Sequence, residues 1–435
     1  MKVPRITYIG AGSSTFAARL ISDLVATPGL EAGTFALVDI DPERLELSRQ
    51  ITEKVIGLSG RDWKVTISTD REEALPGSDY VINSIEVAGL DSVAPDYEIP
   101  LRYGVDQCIG DTIGPGGIFK ALRTGPAWLE IVADVKRLAP SAIVMNYTNP
   151  MSILTLAAIR ATGLSVVGLC HSVQGTSRLL AGFLQVPYSE LQWSCAGINH
   201  NAWFTTLARD GQDLYPRLRE LARTPAIYEQ DPVRFDVMLH LGLFVTESSG
   251  HFSEYVPYYR KRPDLIAKYT RSGYLGESGF YAHNWPGWRA ANAELVRAMV
   301  AGIWETDLHR SHEYASYIVE AVELDRPVVI HGNVLNGGSI PNLPEGCVEV
   351  PCRVDGSGLH PEPFAPLPEQ FAALNRSHMA VHELVVQALL ERDREKARLA
   401  LMLDPLTAAV CSLDEISRLF DEMWEAERPH LSAFE

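Results

Sequence analysis

A chain of 435 residues with 46% hydrophobic side chains can bury a large core and should form two domains, or one domain with a substantial cap. Its formal net charge of -17 argues against a nucleic-acid partner, because binding a phosphate backbone requires clustered Lys and Arg. No apolar run approaches the ~20 residues of a transmembrane helix, and Met1-Lys2-Val3-Pro4-Arg5 lacks the apolar core of a secretory signal, so a cytoplasmic protein without a membrane partner is expected.

Short apolar runs at Ile6–Ile9, Phe35–Val38, Val65–Ile67, Tyr80–Ile82, Ile143–Met145 and Val166–Leu169 alternate with helical patterns such as Pro42–Leu58 and Pro126–Leu138. That alternation predicts right-handed crossovers and a Rossmann-like, doubly wound parallel sheet in an α/β fold. Gly10-Ala11-Gly12-Ser13-Ser14-Thr15 follows the first run and opens a helix, where backbone amides can face a pyrophosphate. Thr15 replaces the third glycine of the usual fingerprint. Asp39 ends the second run, where an acid can accept hydrogen bonds from an adenosine ribose; it could otherwise cap the helix at Pro42, a task that suits Asp41 better. The carboxylate favours NAD over NADP, whose ribose phosphate it would repel. Gly10, Gly12, Ser13, Ser14, Asp39 and Asn83 form the expected cofactor set.

Farther along, Asp111-Thr112-Ile113-Gly114-Pro115-Gly116-Gly117 has too many glycines for a buried helix and reads as a flexible loop beside a carboxylate. Tyr147-Thr148-Asn149-Pro150 ends the fifth run with an amide at the sheet edge. The sixth run ends at Cys170-His171-Ser172, and Gly197-Ile198-Asn199-His200-Asn201 follows some thirty residues later. A thiolate and a neutral imidazole suit a borderline divalent ion and leave positions open for sugar hydroxyls and water. A lone Cys on an apolar strand is also an ordinary buried hydrophobe, but this one sits where open parallel sheets bind ligands. Residues 1–190 are read as the nucleotide domain and 191–435 as a substrate, metal and oligomerisation domain.

The second half is less regular. Strands are expected at Leu191–Cys195 and Trp203–Leu207, then a helix-rich region broken near Pro257 and Pro286, with Pro-rich connections at Pro341–Pro344 and Pro361–Pro368. Thr246 to Tyr255 crowds hydroxyls, carboxylates, an imidazole and a phenol together. Helices near Asp307–Leu324, Glu369–Arg392 and Leu413–Glu427 should pack as one layer against the nucleotide domain. Six cysteines form no disulfide framework in so long a chain, and Cys347 and Cys352 read as buried.

These segments together, with Gly332-Asn333-Val334, Asn342-Leu343-Pro344-Glu345-Gly346-Cys347 and Asp404-Pro405-Leu406-Thr407-Ala408-Ala409-Val410, closely resemble glycoside hydrolase family four, the NAD- and divalent-metal-dependent glycosidases. Cys170-His171-Ser172-Val173 resembles the α-galactosidase (melibiase) form; phosphoglycoside-cleaving members carry Asp or Asn at the position of His171. The resemblance implies a lactate/malate dehydrogenase-like fold, NAD and manganese as cofactors, a sugar substrate, and a homodimer or homotetramer. It implies metal ligation by Cys170 and His200, and a base at Tyr255, which would need the metal and nearby cations to favour phenolate. His171 falls to a leaving-group acid or substrate selector, Asp111 to sugar hydroxyls or a metal-bound water, and Asn149 to the sugar near C3.

The implied chemistry oxidises the sugar at C3, removes the C2 proton, expels the glycosidic oxygen, adds water and returns the hydride. Plainer readings stand beside each role. Tyr255 could be an aromatic core residue, His171 a group orienting Cys170, Asp111 a loop cap, and Asn149 a turn residue. An α-glucosidase or α-galacturonidase of the same family, a 2-hydroxy acid dehydrogenase and a non-catalytic NAD-binding protein are the alternatives.

Overall fold

The computed structural model describes residues 3–13, 15–302 and 308–435. Strands β1 (Arg5–Ile9), β2 (Ala32–Val38), β3 (Asp62–Ser68), β4 (Tyr80–Asn83), β5 (Ile143–Asn146) and β6 (Val166–Gly168) run parallel in the order β3-β2-β1-β4-β5-β6. That is the order of a doubly wound dinucleotide-binding sheet, with its crevice at the carboxyl ends of the central strands. The remaining strands are β7 (Gln192–Ile198), β8 (Asn201–Arg209), β9 (Gln212–Asp213), β10 (Phe244–Val245), β11 (Val328–Leu335), β12 (Cys347–Asp355) and β13 (Gly358–Pro361). They extend the same sheet with antiparallel pairing in the order β6-β11-β12-β7-β8-β10. The chain therefore inserts β11 and β12 between β6 and β7.

Local chemistry sets the helix ends. In Pro42–Ser59, Asp41 accepts from the amides of Glu43 and Arg44, Pro42 occupies the first turn where no amide partner is needed, and Gly60 ends the helix in a left-handed conformation. Ser412 and Glu415 form a capping box at Leu413–Glu427, whose Ile416, Leu419, Phe420 and Met423 bury one stripe.

Successive residues of β1, β2 and β4 alternate between two cores. Tyr8, Leu37 and Ile82 join the helices Thr15–Ala26 and Tyr314–Leu324 on one face, while Ile9, Val38 and Val81 face the helix Gly114–Leu138 on the other. The expected single layer of three late helices is therefore split. Tyr314–Leu324 packs beside Thr15–Ala26, whereas Leu413–Glu427 packs in a separate core with Phe119 and Leu122 of Gly114–Leu138, and Glu369–Glu391 bridges the two, Ala372 and Met379 in the first and Val381 to Leu389 in the second. Asp307, at the start of one expected helix, lies outside the described residues. Cys347 and Cys352 are buried as read. Among the described residues no helix is long and apolar enough to cross a membrane.

The glycine-rich stretch corrects the reading of a loop. Gly114–Gly117 form the buried first turn of the helix Gly114–Leu138. A Cβ on Gly116 would stand 2.3 Å from the Gly110 carbonyl oxygen, and one on Gly117 would stand 2.3 Å from the Thr112 carbonyl carbon. The glycines serve backbone-to-backbone packing rather than flexibility.

Candidate active site

Two cavities lie along the carboxyl ends of the strands. The larger, of about 630 Å³, is lined by Gly10, Ser13, Asp39, Ser84 and Ile85 among others. Asp39 Oδ2 accepts the Gly12 amide at 2.7 Å and Oδ1 accepts the Asp41 amide at 3.0 Å, so the acid ties the glycine turn to the next strand, while Asp41 caps the helix. The volume and the acid at the strand end fit a dinucleotide's adenosine half. Asn83 points away from direct exposure; fully buried, it donates to Asn146 Oδ1 at 2.8 Å. Ser14 lies outside the described residues.

The second site is assembled from separate stretches. Cys170 stands two residues beyond β6, where Ser172, at the start of the helix Ser172–Leu184, directs its amide to the sulfur at 3.5 Å. A helix amino end favours thiolate. His200 occupies the two-residue turn between β7 and β8 with φ +62°, and Glu247 follows β10 with φ +70°. Non-glycine residues in the left-handed region are uncommon and gather at functional sites.

His200 Nε2 lies 3.4 Å from Cys170 Sγ and 3.4 Å from Glu247 Oε2. The three donor atoms all fall within 4.8 Å of one another. Thiolate and imidazole bound to one tetrahedral ion stand roughly 3.5 Å apart, so the set fits a divalent metal.

Electrostatics agree with that fit. Burial opposes the Cys170 thiolate, but the adjacent His200 outweighs it and lowers the thiol pKa. Burial alone disfavours an imidazolium, yet Glu247 and Cys170 raise the His200 pKa to about 10. Glu247 is held down at about 2, against burial, chiefly by His200 and then His251. The His200 Nε2 edge thus faces two acidic donors, Cys170 and Glu247, the place a divalent cation would take.

The helix Ser249–Tyr255 covers this set, started by Ser248, which accepts the His251 amide. Tyr255 Oη lies 3.4 Å from His200 Nδ1, and the phenol is 1% exposed. Burial and then the carboxylates of Glu247 and Asp111 push its pKa well up, and the neighbour that can favour phenolate is the His200 ring. Burial and then His200 lower the His251 pKa to about 4, leaving it neutral, with Nε2 unpartnered in a buried position.

Asp111 Oδ2 accepts from Asn149 Nδ2 at 3.2 Å and faces Lys120 Nζ at 3.4 Å, while its Oδ1 lies 4.0 Å from His251 Nε2. Despite burial, Lys120 and His251 keep the Asp111 carboxyl below the usual carboxylate range. Glu254 braces the loop before it, accepting the amides of Cys108, Ile109 and Gly110 at 2.6, 2.6 and 3.1 Å. The smaller cavity, of about 40 Å³, opens beside Asp111 and Lys120 and is walled by Tyr281 and Trp285.

Cys170, His200, Tyr255, Asp111 and Asn149 thus come together as a linked constellation. His171 does not join it. Its side chain is 77% exposed, and Nδ1 faces Glu313 at 3.6 Å. The contact beside the sulfur belongs to Ser172 instead, whose Oγ lies 3.4 Å from Sγ. Glu247 and Lys120 were missed in the sequence. Glu247 lies in the polar stretch Thr246 to Tyr255, but only the left-handed backbone after β10 singles it out.

A dehydrogenase-type nucleotide fold joined to a thiolate, imidazole and carboxylate cluster defines a class of nucleotide- and metal-assisted enzymes. Residues 5–186 match the family 4 glycosyl hydrolase model and residues 195–407 match the family 4 glycosyl hydrolase C-terminal domain; the chain belongs to this family. It is 39% identical over 429 residues to an alpha-galactosidase of Bacillus subtilis (strain 168), covering 97% of this chain and 98% of that one. It is similar to the crystal structure of a putative glucosidase from Bacillus subtilis, with TM-score 0.87 and 28% identity over 97% of this chain and 100% of the other. Malate dehydrogenase from Plasmodium falciparum shares the fold at 14% identity and TM-score 0.52, covering 89% of this chain and 99% of that one.

Proposed function

We propose that the chain hydrolyses α-galactosides of the melibiose type with NAD and a divalent ion, manganese by first expectation. The observation that carries this reading is the convergence of the Cys170, His200 and Glu247 donors within 4.8 Å, with Tyr255 Oη 3.4 Å from the second His200 nitrogen. When bound, NAD supplies a reversible hydride acceptor and the metal supplies a Lewis acid that makes a sugar C2 hydrogen acidic beside a C3 ketone.

Cys170, His200 and Glu247 would hold the ion. With Nε2 used as the donor atom, His200 keeps its proton on Nδ1 and directs it at the Tyr255 oxygen, which stabilises phenolate in a pocket otherwise hostile to it. Tyr255 takes the C2 proton, and Asp111 with Asn149 binds sugar hydroxyls. Lys120 keeps Asp111 ionised and ready to accept. His171 belongs to the rim, where it meets the leaving group. Gly10, Gly12, Ser13, Ser14 and Asp39 serve the cofactor, while Asn83, buried and bonded to Asn146 and Thr148, supports the strand ends behind it. Residues 1–190 supply the nucleotide site together with Asp111, Asn149 and Cys170 of the sugar and metal site, and 191–435 supply His200, Glu247 and Tyr255 and the self-association of a homodimer or homotetramer.

A panel of p-nitrophenyl α-galactoside, α-glucoside and α-galacturonide with Mn²⁺ and substoichiometric NAD⁺ tests the reading. The expected result is preferential galactoside cleavage with no net NADH. Undiminished cleavage by nucleotide-stripped protein, or stoichiometric NADH from a 2-hydroxy acid, would overturn it.

A further inference from the structure

The strands that deliver the two proposed ligands never touch. β6 leads to Cys170 and β7 leads to His200, but β11 and β12 lie between them. The separation of thiolate and imidazole is therefore set by two strands from much later in the chain.

One cross-strand row spans that insertion. Gly168 of β6 faces Asn333 of β11, Asn333 faces Glu349 of β12, and Glu349 faces Gly197 of β7. Residues directly opposite on neighbouring strands project from the same face. Asn333 and Glu349 are each 0% exposed, and Asn333 Nδ2 lies 3.3 Å from both the Gly168 carbonyl oxygen and Glu349 Oε1. The fit at the β6 end is close, since a Cβ on Gly168 would sit 2.9 Å from the Asn333 Cβ.

The row is a poor design for stability alone. Among the described residues Glu349 Oε2 and Asn333 Oδ1 have no hydrogen-bond partner, and the same holds for both side-chain amide atoms of Asn199 and Asn201 on either side of His200. Each buried polar atom left unpaired costs free energy, and apolar residues of the same volume pack as well or better. The electrostatic neighbours of Glu349 include Cys170, His200 and Glu247. Burial and then Cys170 push the Glu349 pKa well above the usual carboxylate range.

We propose that Asn333 and Glu349 are positioning residues for the metal site. Acting through the ends of β6 and β7, they fix the distance between Cys170 Sγ and His200 Nε2. The inference rests on the reading of Cys170 and His200 as ligands, and the control variant Cys170→Ser keeps the two separate.

The test measures Mn²⁺ affinity by electron paramagnetic resonance of free Mn²⁺, NAD⁺ affinity by calorimetry, and the thiolate-to-metal charge-transfer band of the Co²⁺-loaded protein. Glu349→Met and Asn333→Leu keep most of the side-chain bulk while removing the bridge. Folded variants should lose about 10–100-fold in Mn²⁺ affinity and show a shifted Co²⁺ band, with NAD⁺ affinity within about twofold of the parent. Mn²⁺ affinity and a Co²⁺ band like the parent's in either folded variant would overturn the proposal. So would parallel loss of Mn²⁺ and NAD⁺ binding, or failure of both variants to fold, since either assigns the pair to sheet packing. Parent-like Mn²⁺ binding by Cys170→Ser would sink the ligand reading instead.

Discussion

The two sites on this sheet are built in opposite ways. The larger cavity is framed by neighbouring turns of a parallel sheet, with Gly10, Asp39 and Ser84 each following its own strand. The cluster around His200 draws on β6, the β7–β8 turn, the stretch after β10 and a covering helix, and its members are mostly buried. A site made of repeated strand ends can lose one contact and keep its shape. A site whose members hold one another's charges in place cannot, because removing one leaves the rest buried and uncompensated.

The sharpest way to break this contrast is at the sulfur. Cys170→Ser should lose more activity than the about 10²–10⁴-fold assigned to one general base, because the Lewis-acid contribution goes with the ion. Elemental analysis of the variant should find the metal depleted, whereas chelated parent protein should recover on adding Mn²⁺.

Tyr255→Phe comes next. It keeps the ring and deletes the oxygen, so the rate should fall about 10²–10⁴-fold while NAD⁺ binding persists. Parent protein turning over in D₂O should place deuterium at C2 of the released sugar, and the variant should not, which mass spectrometry can read.

On the nucleotide side the loss should be graded. Asp39→Ala removes charge-assisted hydrogen bonds worth about 1.5–3 kcal/mol, so the KM for NAD⁺ should rise roughly 10- to 150-fold with kcat at saturation nearly unchanged. A collapse of kcat at saturating NAD⁺ would erase the distinction between the two sites.

Acid should act on the cluster through Glu247, whose pKa falls from 4.5 to about 2 in the folded chain. A depressed folded value contributes stability that is complete above pH 4.5 and lost as the pH falls toward 2. Thermal melts of metal-free protein across that window should decline less steeply for Glu247→Gln than for the parent. The smallest effect is expected at His171→Ala, which should alter stability by no more than about 0.5 kcal/mol and leave Mn²⁺ affinity unchanged, checked by the same melts and by metal titration.

What could be read from the sequence follows the same division. The six parallel strands and Asp39 were legible because strand alternation and a glycine turn are local signals. Cys170, His200 and Tyr255 were legible as individual residues once a family resemblance linked them. Glu247 was not, because its place depends on a left-handed residue after a two-residue strand, a feature with no periodicity. Asn333 and Glu349 became meaningful only through the order β7-β12-β11-β6, which no local pattern encodes. The glycines at 114–117 misled because composition suggested freedom where tight backbone contact was the cause. His171 follows Cys170 directly, yet the turn into the next helix sends its side chain outward while the sulfur faces in.

The pairing of β11 with β6 also bears on how this protein could be divided. A fragment ending near residue 190 would carry six parallel strands but leave one side of Val166–Gly168 bare, and an apolar strand without its neighbour is a template for self-association. Cutting the chain there does not release a self-contained cofactor module. The two pieces would need to be made together, the later one restoring the missing strand from outside, much as a partner chain completes a sheet by strand addition.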